Sequence, residues 1–111
     1  MKWFIYDRVI VPSLFPTTGS LSTLEISEVI REKLKIDEKE KEICQVQVDE
    51  VNQYRLKWNK KLDKGIEVSL TENEIKFIDD CLKQANIDGK LPNHPLFFVF
   101  YKSFYNYLNV N

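Results

Sequence analysis

The sequence predicts a single α+β domain in which four or five helices pack with a small two- or three-stranded antiparallel sheet. Three observations predict it. Capping boxes at Ser22-x-x-Glu25, Asp37-x-x-Glu40 and Thr71-x-x-Glu74 mark three helix starts. Between the second and third, the apolar period changes to two, at Val46/Val48, Tyr54/Leu56/Trp58 and Ile66/Val68/Leu70. The length of 111 residues fits one core, because a second independent one would be too small to be stable. A hydrophobic content of 43% is too high for intrinsic disorder.

Residues 3–15 admit two readings. Trp3, Ile5, Tyr6 and Val9 favour a strand by propensity, yet Phe4, Ile10 or Val11, Leu14 and Phe15 also fit one face of a helix. Pro12 would cost a helix interior about 3 kcal/mol, so any helix here is short or kinked. The stretch 16–20 is a turn. A helix is then expected near 23–35, with Ile26, Val29, Ile30 and Leu34 buried and Leu21 stapled onto Ile26. A short helix follows from Asp37 to about residue 43. The alternating residues 45–58 and 66–69 suggest an antiparallel meander joined by an exposed connection, 59–65.

The segment 64–85 carries the clearest signal. A short alternating run ends at Thr71, and Ile75, Ile78, Leu82 and Ala85 then recur at helical spacing, widened by Phe77 and Cys81. Asn86 suits a left-handed cap and Asp88-Gly89 a turn. Asn93 suits the N-cap of a last helix with Pro95 in its first turn. In that helix Leu96, Phe100, Phe104 and Leu108 form one line, and Phe97, Tyr101 and Tyr105 a second.

Composition narrows the function. Sixteen basic against seventeen acidic residues give a net charge of −1, so no global field favours nucleic acid or an anionic membrane. No segment approaches the ~20 apolar residues of a membrane span, and Asp7 and Arg8 interrupt the N-terminal apolar run before it resembles a signal peptide. The expected compartment is a reducing cytoplasm, with Cys44 and Cys81 as two buried thiols rather than a disulfide. Enzyme chemistry is not indicated, and no cofactor or metal is expected. The single histidine, His94, lies between two prolines with no partner in view. One His and two distant Cys do not make a four-ligand zinc site without carboxylates. Three glycines at 19, 65 and 89 form no phosphate loop, and Asp79/Asp80 point about 100° apart on a helix.

Binding remains. Seven Phe, five Tyr and two Trp are many rings for so short a chain, and such rings are enriched at interfaces. Phe97, Tyr101 and Tyr105 are the candidate protein-binding residues, for a partner protein or for a homodimer; packing under the sheet is the competing reading. The alternative is a winged-helix-like nucleic-acid binder whose hairpin offers Arg55, Lys57, Lys60, Lys61 and Lys64 to phosphates. The acidic run Asp37-Glu-Lys-Glu-Lys-Glu42 weighs against it, because an acidic recognition helix is repelled from DNA.

From Arg8 to Leu34 the chain holds an apolar segment, a Phe15-Pro16-Thr-Thr-Gly19 turn and a Thr23-Leu24 helix ending in Arg31-x-x-Leu34. Asp37-Glu-Lys-Glu40, Trp58, the helix from Thr71 to Ala85 and Tyr101-Lys-Ser-Phe104 follow. In this order the chain loosely resembles a group of small phage and prophage proteins of uncharacterised function. It departs from their pattern in having Phe15-Pro16 where Leu-Pro is usual, and in a more aromatic terminal segment. The resemblance implies a helix over 4–14 and a phage setting, but no activity. The expected function is a non-enzymatic accessory protein acting by protein–protein contact, as inhibitor, adaptor or homo-oligomeric assembly factor.

Overall fold

A computed structural model describes residues 1–47 and 56–110. Among these the chain forms five α-helices and one two-stranded antiparallel sheet. The order is β1 (Lys2–Trp3), α1 (Ile5–Ile10), a 3₁₀ turn (Val11–Leu14), α2 (Leu21–Leu34) and α3 (Glu38–Ile43). A second 3₁₀ turn (Lys60–Leu62), β2 (Ile66–Glu67), α4 (Glu72–Ile87) and α5 (Pro95–Val110) complete it. The fold is α+β with helix predominating.

Residues 3–15 resolve the ambiguity by using both states. β1 pairs with β2, Lys2 opposite Glu67 and Trp3 opposite Ile66, and the chain then turns into α1. Pro12 falls in the 3₁₀ turn, where its missing N–H leaves no α-helical bond unmade. The expected meander takes a different form. Gln47 and Lys57 make an isolated antiparallel bridge, but the partner of β2 is β1, from the N-terminal end of the chain. Residues 48–55, with much of that expected hairpin and Arg55, lie outside the described residues.

Capping decides the helix starts. Thr71 Oγ1 accepts from the Glu74 amide at 3.2 Å and Glu74 Oε1 accepts from the Thr71 amide at 2.9 Å, so this box is complete. Glu74 does more: Lys33 Nζ on α2 donates to the same oxygen at 2.6 Å. Burial disfavours the Glu74 carboxylate, yet Lys33 and the Thr71 amide outweigh that and hold its pKa below the usual range. Asp37 caps α3 by accepting from the Glu40 amide at 2.7 Å, while the Glu40 side chain turns away to Arg8. The box at Ser22 does not form. Ser20 is the cap instead, accepting from the Thr23 amide at 3.2 Å, which starts α2 two residues early and leaves Leu21 exposed rather than stapled. Likewise α4 runs past Asn86, and the left-handed residue is Gly89, with φ +67°.

The core gathers Trp3, Tyr6, Ile10, Val11 and Phe15 from the N-terminal segment, Ile30 and Leu34 from α2, and Ile78 and Leu82 from α4. Phe97, Phe100 and Phe104 of α5 close it. Val29, expected inside, is 47% exposed. No helix among the described residues is long and apolar enough to cross a membrane.

A candidate binding cleft between the N-terminal segment and α5

The aromatic surface expected on α5 is largely packed away. Phe97 is 1% exposed and opens the buried line, because the inward face runs Phe97–Phe100–Phe104. Tyr101 and Tyr105 are half-buried beside it, their rings 4.7 Å apart, and Tyr105 Oη donates to Asp79 Oδ1 on α4 at 2.7 Å. The rotation that hides Phe97 turns Phe98 and Val99 outward, 53% and 60% exposed.

Val99 forms one edge of a cleft of about 300 Å³. Leu96, Phe100 and Ser103 continue that wall along α5. The facing wall comes from residues 1–7, with Met1, Lys2, Phe4, Tyr6 and Asp7, and the floor from the 58–63 connection, with Trp58, Lys60 and Asp63; the Met1 ammonium pairs with Glu67 at 3.1 Å. Behind it, the Tyr6 ring stacks on His94 at 4.8 Å and lies 6.4 Å from Trp58. His94 also accepts the Leu96 amide at Nδ1, 3.1 Å, so the lone histidine is the cap of α5 that Asn93 was expected to be. Gly65 lets the chain pass close behind the cleft: its φ is +69°, and a Cβ there would lie 2.7 Å from Lys2 Cγ and 3.1 Å from Phe4 Cε1.

Two carboxylates position the N-terminal wall. Asp7 Oδ2 accepts from the Phe4 amide at 2.9 Å, and Asp63 Oδ2 accepts from the Ile5 amide at 3.1 Å. Asp63 Oδ1 takes the Gly65 amide at 3.2 Å, so both its oxygens are engaged. Asp7 is only 7% exposed. Burial pushes the Asp7 carboxyl up to about 6; the Phe4 amide opposes this, the Asp63 charge adds to it and Arg8 opposes it. A raised carboxyl pKa means the folded state holds the proton more tightly than the unfolded one. Its stabilising contribution is therefore present below about pH 4 and lost as pH rises towards 6. Asp7→Asn keeps an oxygen for the Phe4 amide and never ionises. We expect it to be about 2 kcal/mol more stable than wild type at pH 7 and equal to it near pH 3.5. Urea unfolding at the two pH values checks this.

The lysines take a place of their own. Lys57, Lys60, Lys61 and Lys64 are exposed on the connection below the cleft, with Lys60 Nζ 5.2 Å over the Trp58 ring. The acidic α3 abuts this connection: Asn59 donates its amide to Cys44 O at 2.7 Å, and Cys44 Sγ donates to Leu62 O at 3.5 Å. Both cysteines are free. Cys44 is buried, whereas Cys81 is only half-buried; burial still pushes its thiol up to about 11, which leaves little thiolate at neutral pH. Cys81 borders a larger groove of about 870 Å³ beside α4, whose Asp80, Gln84 and Lys90 are all exposed to water. The cleft at Asp7 is the better-built site, because walls from two parts of the chain enclose it and a buried carboxylate borders it. Among the described residues no three His, Cys, Asp or Glu side chains gather as they would around a metal.

The sequence offered no pointer to this cleft. Its parts come from residues 1–7, 58–63 and 96–103, and of its lining only Lys60 had been a candidate binding residue, for another role. Comparison of the chain with protein-family models, curated proteins and solved structures returns no match in any of the three.

Proposed function

We propose that the chain is a non-enzymatic accessory protein that acts by protein–protein contact, and that the contact is made at this cleft. One observation carries the reading. Large apolar side chains, Phe4 at 41% and Val99 at 60% exposure, stand open at the rim of an apolar cavity deep enough for an aromatic or long aliphatic side chain. A pocket that accepts a single bulky anchor is what interface hot spots require of the opposite surface. The phage setting implied by the sequence resemblance suits such a role, as inhibitor, adaptor or assembly factor, without naming the partner.

The test is capture from a lysate on protein tagged at its C-terminal end. Wild type and Val99→Glu are compared with and without nuclease. Val99 is exposed, so the fold tolerates the change, while the new carboxylate sits at the mouth of the cavity. A protein retained by wild type, resistant to nuclease and reduced at least tenfold by Val99→Glu is the expected result. Equal retention by the two proteins argues against the cleft. Retention that disappears with nuclease moves the function to the lysine connection.

A further inference from the structure

We infer that the occupant of the cleft is an uncharged, electron-rich side chain of two fused rings, a tryptophan presented by the partner protein. The inference rests on the cleft being the contact surface, and it adds the chemistry of what the cleft accepts. Size is the first argument. An apolar cavity of about 150 Å³ holds one benzene ring, whereas this cleft offers about 300 Å³. A phenyl ring would leave part of that space without contacts, and unfilled space forfeits dispersion energy. The walls suit a flat ring: Phe4, Tyr6, Trp58 and Phe100 all border the cavity, from three separate parts of the chain.

The charges of the lining disfavour an ion of either sign. Three cationic groups, the Met1 ammonium, Lys2 and Lys60, stand against two carboxylates, Asp7 and Asp63. The Met1 ammonium pairs with Glu67, and backbone amides hold the carboxylates, Phe4 that of Asp7, Ile5 and Gly65 that of Asp63. A cationic occupant meets Lys2 and Lys60, and an anionic one meets Asp7 and Asp63. A neutral ring avoids both penalties. Its electron-rich face also attracts a cation, most strongly when the ring is an indole. Lys60 already uses this attraction, its Nζ 5.2 Å from the centre of the Trp58 ring, and Lys2 is exposed at the same cavity. The ring belongs to a protein, because Phe4 and Val99 carry the apolar surface outward past the cavity, at 41% and 60% exposure. A chain on either side of the inserted ring covers that collar, which a free small molecule leaves in water.

The experiment titrates the full chain with the N-acetyl amides of tryptophan, phenylalanine and leucine, and with the anion N-acetyltryptophan, following the backbone amide signals of Phe4, Tyr6, Val99 and Ser103. The tryptophan amide is expected to shift these signals at millimolar concentration and to bind about fivefold more tightly than the phenylalanine amide. The leucine amide is expected to bind most weakly, and N-acetyltryptophan no more tightly than its amide. Lys60→Met keeps the aliphatic stem of an exposed residue and removes its charge. It should weaken the tryptophan amide about threefold and leave the leucine amide unchanged. Flanking leucines, in acetyl-Leu-Trp-Leu-amide, should tighten binding by covering Phe4 and Val99; no gain from them overturns the protein origin of the ring. Equal binding of the tryptophan and phenylalanine amides, tighter binding of the anion, or an unchanged tryptophan affinity in Lys60→Met overturns the selection for a neutral indole and leaves the apolar cleft standing. No shift of these signals by any probe overturns the cleft itself, and with it the reading on which the inference rests.

Discussion

Trp3→Ala lowers the stability of the fold by about 4 kcal/mol, the range in which large buried aromatics fall when truncated. The reason is the position of the ring. Trp3 is 1% exposed, its centroid lies 5.1 Å from that of Phe100, and its strand is held against Ile66. Removing the indole leaves a void between β1 and α5 that neither element closes by itself, since α5 is pinned by Phe97 and Phe104 on the same face. Marginal stability makes this a large fraction of the total for a domain of this size. Urea unfolding followed by far-ultraviolet circular dichroism measures it, with Phe98→Ala, on the exposed side of the same helix, as the comparison expected to change little. A loss below about 1 kcal/mol for Trp3→Ala would mean that the N-terminal segment is not part of the core.

Glu40→Ala costs about 3 kcal/mol, and Arg8→Met only about 1, although the two remove the same ion pair. The Arg8 side chain is completely buried, whereas that of Glu40 is 25% exposed. Arg8 Nη1 donates to Glu40 Oε1 at 3.0 Å and Nη2 to Oε2, a two-pronged bond, while its Nε finds no partner among the described residues. Removing Glu40 strands a guanidinium away from water. Removing Arg8 strands a carboxylate that rotates into solvent, and methionine fills the vacated stem. The two variants, unfolded in parallel in urea, should show this order; the reverse order would refute the placement of Arg8 in the interior.

Which features of the fold were legible in the sequence follows from the distance over which they are decided. Thr71 and Glu74 cap α4 as their spacing requires, because both halves of that box lie within one turn. Ile30 and Leu34, four apart, face inward on α2 for the same local reason. The starts of α2 and α5 were misplaced by one or two residues, since Ser20 competed with Ser22 and the His94 ring nitrogen served as an acceptor where Asn93 had the better propensity. Non-local decisions were not legible at all. Nothing in the alternating run at 66–70 says that its partner is Lys2–Trp3 rather than the preceding strand. The cleft inherits that opacity, because Asp7 and Asp63 are 56 positions apart and meet only after the sheet forms. On α5 the error was one of rotation. With rings at 97, 98, 100, 101, 104 and 105, the apolar pattern is too wide to fix which line faces inward, and packing against Trp3 chooses it.

The pairing of Lys2–Trp3 with Ile66–Glu67, and of Trp3 with Phe100, also sets an order in time. During synthesis at about 5–20 residues per second, the apolar N-terminal segment leaves the ribosome several seconds before the residues that cover it exist. α2 can form on its own turn-by-turn contacts as it emerges, but Trp3, Tyr6 and Phe15 cannot be buried until α4 and α5 arrive. The nascent chain therefore carries its most adhesive stretch uncovered for most of its birth. Shielding of that stretch by a chaperone, and slower expression at low temperature, are the conditions under which the highest yield of folded protein is to be sought.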